Sequence, residues 1–69
     1  MDYSKRYVVY IKSNRRERWS YSAHFYGEYS NKNEALEMAR ERVKVCPSEY
    51  IVRDVLEDEI IKEGNSFTY

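Results

Sequence analysis

Sixty-nine residues with twelve basic and twelve acidic side chains, eight tyrosines, one cysteine and one histidine describe a single domain, 1–69, able to hide only about 60% of its unfolded surface. One cysteine excludes an internal disulfide, one Cys with one His excludes a four-ligand N/S zinc site, and no apolar run is long enough to span a bilayer. Stability must then come from packing or self-association, and from the lone cysteine and the lack of a leader-type apolar segment a cytoplasmic location is expected.

The zero formal charge is polarised along the chain. Residues 1–20 set Lys5, Arg6, Lys12, Arg15, Arg16 and Arg18 against Asp2 and Glu17, a net of +4. Residues 47–69 set Glu49, Asp54, Glu57, Asp58, Glu59 and Glu63 against Arg53 and Lys62, a net of −4. The two ends can satisfy each other as sheet neighbours, or front to back between two copies.

In chain order, "KRYVVYIK" (5–12) is β-branched and aromatic with no breaker, which predicts a strand. "SNRRER" (13–18) predicts a turn opened by Ser13 and Asn14. "RWSYSAHFYG" (18–27) alternates, with Trp19, Tyr21, Ala23 and Phe25 on one face and Arg18, Ser20, Ser22, His24 and Tyr26 on the other. Period two predicts a half-buried second strand. From Asn31 the period changes. Asn31 and Glu34 have capping-box spacing, and Ala35, Leu36, Ala39, Val43 and Cys46 form one apolar stripe. Pro47 ends the helix, predicted at about 32–46.

"SEYIVRDVL" (48–56) predicts a third strand, with a bulge near Arg53–Asp54 that lets both Ile51 and Leu56 point inward. Glu57–Asp58 predicts a two-residue turn and "EIIKE" (59–63) a fourth strand. Phe67 and Tyr69 are apolar enough to add an edge strand or to dock on a partner. The fold class is α+β, β-β-α-β-β: an antiparallel sheet with one amphipathic helix on one face, Trp19, Tyr21 and Phe25 beneath it, and the other face bare.

The first hairpin, "NKNEALEMARE" at the helix start and "YIVRDVLEDEII" after it resemble the small orphan proteins of bacteria and their phages that share this outline, over roughly residues 7–62. The resemblance implies the fold and a kind of source. That grouping has no common activity, so it implies no site residues.

Chemistry is sparse. His24 lacks a nucleophile or an orienting partner in the pattern, and Cys46 on the stripe is a small hydrophobe, so no catalytic residue is assigned and the chain is expected not to be an enzyme. Asp54, Glu57, Asp58 and Glu59 fit no calcium-loop spacing, and there is no phosphate-binding glycine loop, so neither metal nor cofactor is expected. What remains is a bare face offering Tyr10, Lys12, Arg18, His24 and Tyr26, with Arg53 beside them. Together with Arg15 and Arg16 these suit a protein interface, and the acidic turn Glu57, Asp58 and Glu59 is a second contact. That turn could dock on the arginines of a second copy or imitate nucleic acid in an enzyme's basic groove.

The function expected is therefore a self-associating protein-interaction module, a homodimer, with inhibition or modulation of a host or partner protein as one use. The alternative is single-stranded RNA or DNA binding by the same aromatic and basic residues. Against it stand the zero net charge and the missing basic stripe.

Overall fold

The computed structural model describes residues 5–67. Five elements follow in order: β1 (Tyr7–Lys12), β2 (Phe25–Tyr29), α1 (Lys32–Val45), β3 (Glu49–Asp54) and β4 (Glu59–Asn65). The strands form one antiparallel sheet in the order β2-β1-β3-β4, with α1 on one face. This is the α+β, β-β-α-β-β architecture expected from the sequence. Tyr69 lies outside the described residues; Phe67 follows β4 without adding a strand.

The helix begins where Asn31 says it should. Its Oδ1 accepts from the N–H groups of Asn33 (2.8 Å) and Glu34 (3.3 Å), two of the donors a helix start leaves without partners. At the other end Cys46 adopts an extended backbone, its N–H reaching Arg42 O at 3.3 Å, and Pro47 prevents continuation. Leaving the helix turns Cys46 to solvent, correcting its expected place on the buried stripe. Ser66 secures this corner: its hydroxyl donates to Val43 O (2.7 Å) and accepts from Ser48 N (3.1 Å).

Ala35 and Ala39 are fully buried and let the helix sit close on Val9, Val52 and Tyr50, with Leu36 and Val43 at the margin. Val9 and Val52 face each other across β1 and β3. Tyr50 lies over Gly64 of β4, where an added Cβ would meet its ring at 3.0 Å. Glycine at 64 makes room for that ring.

A second apolar cluster lies on the opposite face: Val8, Tyr10 and Ile51, with Trp19 and Val55 packed against it. The sheet is thus covered on both sides, by the helix on one and by the β1–β2 connection, residues 13–24, on the other.

Several expectations change accordingly. The second strand starts at Phe25, so 18–24 is loop; Trp19 and Tyr21 pack on the face away from the helix. Phe25 pairs with Tyr10, shares its face and is 52% exposed, so it is not beneath the helix either. The bulge expected in β3 lies in the strand beside it: Val52 pairs with Lys62 and Arg53 with Ile60, leaving Ile61 as the extra residue of β4. Leu56 consequently stays in the turn, exposed. That turn has four residues, Val55–Asp58, and Asp58 (φ 54°) takes the left-handed conformation that Asp tolerates.

Candidate functional site

β1 alternates Val8, Tyr10 and Lys12 onto the loop-covered face. Register sets Lys12 opposite Glu49, and its ammonium lies 3.2 Å from Glu49 Oε1. It also donates to the carbonyl of Glu17 (2.6 Å) and stands 5.1 Å from the centre of the Trp19 ring. Trp19 Nε1 in turn donates to Glu49 Oε2 at 3.4 Å. A buried ammonium requires such partners, and meeting that need folds the loop back over the sheet.

The rest of the loop is pinned by His24. Its Nδ1 lies 3.0 Å from both the backbone N and O of Ser20. Its Nε2 faces the Glu17 carboxylate. Ile11 N–H donates to His24 O (2.9 Å), joining the loop's end to β1. Between these anchors Tyr21 lies on Tyr10, ring centres 4.6 Å apart, with the Arg53 guanidinium 5.1 Å from its ring.

The expected contact residues therefore separate. Tyr10 and Lys12 do belong to the face away from the helix, but each is only 5% exposed, because the loop roofs them. His24 does not look outward; it holds the loop together. Arg15, Arg16 and Arg18 are exposed on the loop as expected. Tyr26 is the extra residue of a bulge in β2, between Gly27, which pairs with Val9, and Phe25, which pairs with Tyr10. Asp58 is held by Arg53, and Glu57 lies 3.8 Å from Arg6, so the acidic turn is partly matched within the chain, while Glu59 is exposed. β1 ends at Lys12 opposite the start of β3, whereas the acidic turn follows Asp54, which pairs with Tyr7. The arginine-rich loop tip and the acidic turn thus lie at opposite ends of the sheet.

His24 and Asp54 are engaged by different groups, Glu17 with Ser20 and Arg6 respectively.

Where the loop stops short of β4 a groove of about 530 Å³ remains, lined by Trp19, Tyr21, Glu49, Ile51, Ile60 and Glu63. Ile51 pairs with Glu63 and Arg53 with Ile60, so both β4 side chains share the loop's face. Tyr21 and Ile60 remain 45% and 46% exposed on its two sides. Sequence periodicity missed this groove because it assigned Trp19 and Tyr21 to the helix side. The unbroken Val8-Val9-Tyr10 and Ile51-Val52 runs were the available signal: central strands that do not alternate are covered on both faces.

No helix among the described residues is long and apolar enough to cross a membrane. Compared with protein families, characterised proteins and solved structures, the chain finds no match.

Proposed function

We propose that this chain is a non-enzymatic protein-interaction module that binds a partner through the loop-covered sheet face and modulates or inhibits it. The observation that carries this reading is the groove with exposed Tyr21 and Ile60 on its two sides, Phe25 on the same sheet face, and Arg16 and Arg18 on the adjoining loop. Aromatic side chains and arginine dominate the energetic centres of protein interfaces. Both edge strands carry a bulge, at Tyr26 and at Ile61, which disfavours extension of the sheet by another strand and favours recognition through the face.

Self-association belongs to the same proposal. Opposite charges at opposite ends of the sheet suit antiparallel alignment of two copies, each loop tip against the other's acidic turn. Single-stranded nucleic acid is favoured less. Tyr10 is already covered by Tyr21, Lys12 and Arg53 already have carboxylate partners, and Glu49 and Glu63 in the groove repel phosphate.

The test is quantitative capture from lysate of the source cells by the wild type, by Tyr21→Ala and Ile60→Glu, and by the helix-surface control Glu37→Ala. Proteins retained by the control and lost by both face variants support the reading; identical sets for all four refute it. Sedimentation at micromolar concentration checks self-association, and a strict monomer removes that part.

A further inference from the structure

We infer that the groove between the loop and β4 is a subsite for an arginine side chain of the partner protein, an inference that rests on the interaction reading above. The groove combines three properties that few side chains satisfy together. Its floor and far wall are aliphatic, Ile51 and Ile60; its near wall is aromatic, Trp19 and Tyr21; and its charge is negative. Both oxygens of Glu49 are engaged, one by Lys12 and one by Trp19. Glu63 makes no side-chain hydrogen bond or ion pair with any described residue and carries the charge left unmatched in the groove.

An arginine fits this set on chemical grounds. Its methylene stem covers aliphatic surface while its head stays polar. Its planar guanidinium stacks on an aromatic ring and offers a carboxylate two parallel N–H donors, which an ammonium cannot. The same rings already accept cations from within the chain, Lys12 at Trp19 and Arg53 at Tyr21. An acidic side chain is repelled by Glu63, and an apolar one leaves that carboxylate desolvated without a partner. At about 530 Å³ the groove has room for one long side chain.

Trp19 is the chain's only tryptophan and lines the groove, so a single indole N–H resonance follows its occupation. Capped tripeptides with a central arginine, lysine, citrulline or glutamate are titrated into the folded protein. The arginine peptide is expected to move the Trp19 signal saturably, lysine less. Citrulline, the same shape without charge, should bind about threefold to fivefold more weakly, the scale of one exposed charge pair. Glu63→Gln should weaken the arginine peptide by a similar factor and remove its advantage over citrulline. Equal binding of arginine and citrulline, an arginine titration unchanged in Glu63→Gln, or no response at tens of millimolar peptide overturns the inference. A Trp19 shift that grows with protein concentration and disappears in Ile60→Glu assigns the groove to a second copy and overturns it too. If the peptides fail while Tyr21→Ala and Ile60→Glu still lose their captured proteins, the arginine specificity falls and the interaction reading stands. If capture is also unaffected, both fall.

Discussion

A carboxylate that is 4% exposed has to be matched, and Asp54 is matched by four donors. Arg6 contributes two, Nε to Oδ1 at 2.8 Å and a terminal nitrogen to Oδ2 at 2.7 Å, and the backbone N–H groups of Leu56 and Glu57 contribute two more at 3.1 and 3.2 Å. The Arg6 hydrogen bonds are the main reason the Asp54 carboxyl is held below its ordinary value. The backbone donors act in the same direction, and burial opposes them. The sign follows from proton linkage: a depressed native value means the unfolded chain takes up the proton first as pH falls. The contribution of Asp54 is therefore fully present above about pH 4, the unfolded value, and is lost as pH drops through the lowered native one. Melting temperature followed from pH 7 to pH 2 should show this as part of the acid limb. Asp54→Asn should melt lower at pH 7, because Arg6 keeps only the more distant Glu57 as a charged partner among the described residues, and should lose less on acidification. An acid limb as steep as the wild type's in that variant would place the titration elsewhere.

Helix α1 was legible in the sequence because everything that defines it is local: Asn31 at its start, an apolar stripe at helical spacing and Pro47 after its end. The loop was not. Alternation of Trp19, Tyr21 and Ala23 is equally the pattern of a segment that lays successive rings on a surface, and what separates the two is a set of bonds between residues not adjacent in sequence. Glu17 with His24, His24 with Ser20 and Lys12 with the Glu17 carbonyl close the segment on itself, and period counting has no access to them. Gly27, at the end of the strand that alternation predicts, lies inside β2, where Tyr29 leans across it. If His24 is the pin, His24→Ala should cost about 1 kcal/mol, the scale of a lost hydrogen-bond set at a part-exposed site. In a domain of this size that lowers the melting temperature by roughly 4–8 °C. The emission of Trp19 should shift red while far-ultraviolet helicity stays constant. Unchanged emission would mean that Lys12 and Glu49 hold the loop unaided.

For the molecule as a whole, the consequential difference between expectation and structure is the number of covered faces. A two-layer domain, helix on sheet, leaves one side of β3 in water; here Ile51 on that side is 5% exposed and its neighbour Val52 on the helix side is fully buried. A 69-residue chain with no disulfide gains from burying both sides of its central strands, since its total stability is expected at only about 3–10 kcal/mol. The partner face is accordingly narrower than a bare sheet: a groove beside a roof. Alanine substitution at two consecutive residues separates the two architectures. Val52→Ala should cost about 2 kcal/mol in either, because it opens a cavity under the helix. Ile51→Ala costs little if that face is open, but about 2–4 kcal/mol if the loop closes it. Urea melts of the two variants give the comparison directly, and a cycle combining Ile51→Ala with Trp19→Ala should show coupling on the order of 1 kcal/mol, because both side chains belong to one cluster. An Ile51→Ala variant as stable as the wild type, with no coupling to Trp19, would return the loop to solvent, and with it one wall of the groove.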